Sequence, residues 1–88
     1  MKPVVIALIE IALIGCGVEF TDEPHNGGTI IRFPWCDGDI AYHKYTYGYP
    51  DYVETFRFPW DNGDVSMLSP DEAVRKIVSY YMEVGEEV

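Results

Sequence analysis

The sequence predicts a single α+β domain over residues 1–88, in which two helices pack on one face of a four-stranded antiparallel meander, in the order α-β-β-β-β-α. Three observations predict it: an internal repeat whose halves each carry a hairpin signal, an apolar run near the N-terminus, and a capped amphipathic segment near the C-terminus. With 88 residues, the chain can build one core but not two, because domains of this size bury only about 60–65% of their unfolded surface. Its 48% hydrophobic and 15% aromatic content exceeds that of disordered chains, so a packed interior is expected.

The first element is the run from Pro3 to Ile14, apolar on nearly every side apart from Glu10. Its length exceeds the usual strand, Pro3 suits a first helical turn, and Gly15 and Gly17 suit a stop, so a helix lying deep against the sheet is expected. The same stretch has a second reading. Lys2, the apolar run and Leu13-Ile14-Gly15-Cys16 have the form of a bacterial lipoprotein signal with Cys16 as the acylated residue. Glu10 in mid-run and the single basic residue before it favour the buried helix, and the run falls short of the ~20 residues that a spanning helix needs. Glu19 to Gly28, with Asp22, Glu23, Pro24, Asn26 and Gly27, is expected to be a loop.

The repeat comes next. Arg32-Phe33-Pro34-Trp35-Cys36-Asp37-Gly38-Asp39-Ile40 recurs as Arg57-Phe58-Pro59-Trp60-Asp61-Asn62-Gly63-Asp64-Val65. Asp37-Gly38 and Asn62-Gly63 tolerate the positive φ of tight turns, so each copy predicts a hairpin, with Gly48-Tyr49-Pro50-Asp51 turning the chain between them. Four strands follow: Thr29 to Trp35, Ile40 to Tyr47, Tyr52 to Trp60 and Val65 to Leu68. Alternation puts Ile31, Phe33, Trp35, Phe56, Phe58 and Trp60 on the helix-covered face and Arg32, Thr55 and Arg57 on the other. Pro34 and Pro59 lack the N–H that a two-residue turn would require of them, so four-residue loops, Cys36 to Asp39 and Asp61 to Asp64, are expected, with Trp35 facing Ile40 and Trp60 facing Val65. The last helix is signalled by Ser69 as cap, Pro70 at its first position and Glu72 closing a capping box. Val74, Ile77, Val78 and Tyr81 then form its core stripe, and Glu72 can pair with Lys76.

Fifteen acidic residues against six basic ones give a net charge of −9, which repels phosphate backbones and anionic lipids and attracts basic partners. Direct nucleic-acid binding and membrane binding are not expected. Cys16 and Cys36 are too few for a disulfide framework, so reduced thiols and a cytoplasmic setting, that of the host cell if the chain is phage-encoded, are expected. His25 and His43 have no partners at metal-ligand spacing, and no cofactor motif is present. Cys16, Cys36, Ser66, Ser69 and Ser79 stand in no nucleophile context, which argues against an enzyme. Trp35 and Trp60 continue the apolar alternation and are expected to pack in the core rather than grip a ligand.

The acidic turn tips are the feature left over. In a meander the first and third turns share one end of the sheet, so Asp37, Asp39, Asp61 and Asp64 are expected to gather there as a negative knob that a basic protein surface would answer. Arg32, His43, Tyr45, Tyr47, Thr55 and Arg57 on the opposite face suit an interface rim. These features predict a non-enzymatic inhibitor whose carboxylates occupy a nucleic-acid-binding surface of its partner. In size and acidity the chain resembles, as a class, the phage-encoded inhibitors of CRISPR and restriction systems, a likeness of overall character. The alternatives are an envelope lipoprotein or secreted domain beginning at Cys16, and a small structural or assembly subunit.

Overall fold

The computed structural model describes residues 3–43, 48 and 51–86. The chain forms α1 (Val4–Gly15), β1 (Thr21–His25), β2 (Gly28–Arg32), β3 (Asp39–Tyr42), β4 (Val53–Phe56), β5 (Ser66–Leu68) and α2 (Pro70–Glu86). The strands make one antiparallel sheet in the order β1-β2-β3-β4-β5. The fold class is therefore α+β, with five strands where four were expected.

The additional strand is β1, which takes the place of the loop expected from Glu19 to Gly28. Thr-Asp-Glu-Pro-His has no apolar alternation, so nothing in it announces a strand. The hairpin comes from the turn: Asn26 and Gly27 take φ of 46° and 82°, the left-handed pair that a two-residue hairpin needs. His25 pairs with Gly28 and Thr21 with Arg32 across it.

Helix α1 starts after Pro3 and ends in a Schellman closure. The Gly17 N–H donates to the Ile14 carbonyl at 3.1 Å and the Val18 N–H to the Leu13 carbonyl at 3.0 Å, with Gly17 at φ 74°. Ile6, Ile9, Glu10 and Leu13 are buried. The expected deep burial holds for this side only, because Val4, Leu8, Ile11 and Ile14 on the other side face solvent. Helix α2 follows its sequence signals more closely. The Glu72 N–H donates to Ser69 Oγ at 3.4 Å, Ala73 and Ile77 are fully buried, and Val74, Val78 and Tyr81 pack against the same core.

One apolar cluster joins α1 and α2 to a single sheet face through Ile6, Ile9, Leu13, Ile31, Ile40, Val53 and Ile77. The register runs Ile31 to Ile40 to Thr55 across β2, β3 and β4. Thr55 is thus on the helix side and fully buried, which corrects its expected outward placement. Phe56 sits opposite Asp39 on the outer face, which corrects its expected place in the apolar row. The cause is Arg57, which adopts φ 63°. This left-handed step lets Phe56 and Arg57 both turn outward before Phe58 returns to the core.

The hairpin loops are longer than expected. Arg32 pairs with Asp39 and Thr55 with Ser66, so Trp35 does not face Ile40 and Trp60 does not face Val65. Both copies instead fold a Phe-Pro-Trp turn, in which the Cys36 N–H donates to the Phe33 carbonyl at 3.2 Å and the Asp61 N–H to the Phe58 carbonyl at 2.9 Å. The second turn is a short 3-10 helix, Pro59–Asp61, ended by Asn62 at φ 50°. Asn62-Gly63 has the positive φ its sequence predicts, but inside a longer loop. Residues 44–47 of the expected second strand lie outside the described residues, as do Tyr49 and Pro50 of the expected connecting turn.

Gly38 marks where the two repeats touch. A Cβ added there would fall 2.1 to 2.4 Å from the Phe58 ring, so Gly38→Ala is expected to cost about 1–3 kcal/mol. Gly15 in α1 has open space around its would-be Cβ, and Gly15→Ala should be neutral or stabilising by up to ~1 kcal/mol. Urea midpoints of the two variants check both statements.

Candidate binding surface

The loops after β2 and β4 share one end of the sheet, as a meander requires, and an aromatic stack holds them together. Phe33 and Phe58 lie 5.6 Å apart, Trp60 stacks on Phe58 at 4.6 Å with planes 7° apart, and Trp35 meets Tyr81 edge-on at 4.8 Å. The indole N–H groups are both engaged, Trp35 with the Glu19 carbonyl at 2.9 Å and Trp60 with Thr55 Oγ1 at 3.4 Å. Both tryptophans are partly buried against the core.

The four aspartates of these loops do not form the expected knob. Asp39 is 4% exposed and Asp61 3%. Asp39 Oδ2 accepts from Arg32 Nη1 at 3.4 Å and from Arg57 Nη2, so both arginines of the repeat converge on one carboxylate. Arg32 Nε also donates to Glu23 Oε1 at 2.9 Å, which extends the alternating charges from β1 to the loop after β4. The Glu23 hydrogen bond, with the nearby Asp39 charge, raises the Arg32 pKa further above its ordinary value. Asp61 works as a cap: its Oδ1 accepts from Thr55 Oγ1 and its Oδ2 from the Phe58 N–H, each at 2.9 Å.

These contacts correct the site expected from the sequence. Asp39 and Asp61 are buried and are tied to Arg32 and Arg57 or to the backbone, as buried polar groups must be. Asp37 and Asp64 remain exposed, with no ion-pair partner among the described residues. Tyr45 and Tyr47 lie outside the described residues. His43 is near Glu54, Nε2 to Oε2 3.7 Å, and its ring meets that of His25 at 5.7 Å.

One feature of the surface was missed in the sequence. Pro59 and Trp60 of the second loop line a groove with Glu72, Lys76, Tyr80 and Glu83 of α2, and Lys76 Nζ sits 5.4 Å above the Trp60 ring. The expected Glu72–Lys76 pair is not among the ion pairs of the described residues. The signal was present in the helix periodicity, since residues 72, 76, 80 and 83 fall on one stripe beside the core-facing one. Among the described residues no group of His, Cys, Asp and Glu is placed to hold a metal ion, and no helix is long and apolar enough to cross a membrane.

Removing a buried cap should matter more than removing an exposed charge. Asp61→Ala leaves Thr55 Oγ1 and the Phe58 N–H without that carboxylate and should cost about 2–3 kcal/mol, against at most ~0.5 kcal/mol for Asp64→Ala, measured by chemical denaturation. The thiols should differ too. Burial pushes the Cys36 pKa up, partly offset by the Gly38 N–H, whereas Cys16 is exposed; maleimide labelling followed by peptide mass analysis should find Cys16 modified first. Compared with protein-family models, curated proteins and solved structures, the chain matches none.

Proposed function

We propose that the chain is a small acidic binding protein, not an enzyme, that occupies a basic surface of a partner protein of the kind that holds nucleic acid. The observation that carries this reading is the net charge of −9, combined with two carboxylates, Asp37 and Asp64, left exposed on adjoining loops whose other aspartates are consumed by the fold. The loops are fixed by aromatic packing, so their charges are presented without first being ordered. Such a surface attracts a Lys/Arg-lined groove at long range and competes with a polyanion there without a sequence code. Arg32 and Arg57 do not oppose it, because Asp39 and Glu23 answer them.

The lipoprotein reading draws support from one observation, the exposure of Cys16 at the end of α1. What supports the binding-protein reading against it is that Ile6, Ile9 and Leu13 close the core, which cleavage at Cys16 would open.

The test uses the two exposed aspartates and leaves Asp39 and Asp61 intact. Capture of partners from a lysate, with and without added competitor nucleic acid, is compared between the native chain and Asp37→Lys/Asp64→Lys. The expected outcome is one basic partner, released by competitor, bound at least ~10-fold more weakly by the variant and more weakly as salt rises. Binding that survives the double reversal, or that is indifferent to salt, would sink the reading.

A further inference from the structure

Helix α1 has two apolar faces, and the domain covers one. Val4, Leu8, Ile11 and Ile14 are 75%, 58%, 66% and 68% exposed. Their spacing of four, three and three residues sets them in one stripe along the helix. Single exposed apolar side chains are ordinary on a soluble domain, whereas a contiguous row of branched ones is the mark of a covered surface. Helix α2 runs beside this row. Leu8 and Ala12 of α1 and Val74 of α2 line a groove of about 680 Å³, and Asp71 and Arg75 stand along its α2 side.

We infer that this face is the contact of a homodimer, in which α1 packs antiparallel on α1 of a second copy about a two-fold axis passing between Leu8 and Ile11. Three features select a second copy as the occupant. The stripe is uncharged and self-matching, as a two-fold contact must be: about the stated axis Leu8 meets the partner's Ile11, and Val4 meets the partner's Ile14. The acidic residue of the helix, Glu10, is on the buried side, so the charge of the chain is kept out of the contact.

The second feature is charge complementarity. A two-fold axis perpendicular to antiparallel helices places both copies of α2 on the same side of the contact. Asp71 and Arg75 are one turn apart and level with the middle of the stripe, where they line the groove with Leu8 and Ala12. Asp71 of one copy then faces the partner's Arg75, twice over. A parallel arrangement would put the two α2 helices on opposite sides and lose both pairs.

The third feature is area. Four side chains more than half exposed, with the groove walls, bury on the order of 1,000 Å² in total, the small end of specific interfaces, and a weak dimer with a dissociation constant in the micromolar range is expected. The two copies repel through their net charge, so added salt tightens this contact. That is the reverse of its effect on the proposed basic partner, and the two proposals can fail separately.

Light scattering and sedimentation equilibrium of the full chain, up to about 200 µM and at low and high salt, give the first readout. The mass is expected to rise from 10.0 kDa to twice that, at lower concentration in high salt. Leu8→Glu/Ile11→Glu, at exposed positions, should weaken self-association at least tenfold with an unchanged circular dichroism spectrum. Val4→Cys/Ile14→Cys in a Cys16→Ser/Cys36→Ser background tests the geometry. Within one chain residues 4 and 14 are about 15 Å apart along the helix, too far for a disulfide, but in the antiparallel dimer residue 4 meets the partner's residue 14 and oxidation yields a covalent dimer bridged 4 to 14.

A chain that stays monomeric throughout overturns the inference. So does a dimer untouched by the Leu8/Ile11 pair of substitutions, or a covalent dimer bridged 4 to 4 and 14 to 14, which signals a parallel contact. A monomer that instead co-sediments with neutral phosphatidylcholine vesicles, or a mature product beginning at an acylated Cys16, assigns the stripe to lipid and overturns it equally.

Discussion

Asp39 is the carboxylate around which the sheet is arranged. Taking a carboxylate out of water costs several kcal/mol unless opposite charge and hydrogen bonds replace the solvent, and here Arg32 and Arg57 supply them from the ends of two different strands. The requirement fixes the Arg32–Asp39 register of β2 and β3, and with it the alignment of Ile31 on Ile40. It also accounts for the left-handed Arg57. A normally extended residue there would alternate inward, whereas the left-handed step brings its guanidinium out to Asp39 and hands Phe58 back to the core. The contact between the two repeats, Phe58 against Phe33 and against Gly38, therefore depends on an ion pair on the far side of the sheet.

Each copy of the repeat joins an antiparallel strand pair, β2 to β3 and β4 to β5, and the two copies are most alike in the turn. Phe-Pro-Trp folds the same way in both copies, with the fourth residue donating its N–H back to the phenylalanine carbonyl. The copies part at that fourth residue. Asp61 caps its own turn with two hydrogen bonds, while Cys36 only accepts a long contact from the Gly38 N–H. The third acidic position diverges as well: Asp39 is buried under both arginines and its counterpart Asp64 is exposed. One copy serves as the clamp and the other leaves its charge to the surface.

Much of this was legible from residue order. The capped amphipathic α2, the N-terminal helix with its glycine stop and the adjacency of the two loops all follow from local signals that agree with the final packing. Three things were not legible. Strand β1 has no strand periodicity, because every residue but His25 is exposed, and its evidence is only the Asn26-Gly27 turn. The face assignment failed at Thr55 and Phe56 because a single left-handed residue, Arg57, reverses the alternation between them and Phe58, and arginine gives no notice of that conformation. The charged site was half wrong because sequence shows where a carboxylate lies along the chain but not which cations fold back onto it. Asp39 and Asp61 look no different from Asp37 and Asp64 until the strands are paired.

Pro24 has a consequence for how this molecule behaves in a crowd. It sits opposite Thr29 in edge strand β1, one pair removed from the pair that flanks the two-residue turn, so the donor it lacks is missing from the open side of the sheet. That rim offers an incoming strand no hydrogen where one is needed, and the exposed side chains beside Pro24 are polar or charged. The opposite rim, β5, is only three residues long. Growth of the sheet from molecule to molecule, the first step towards fibrils, is thus discouraged at both borders.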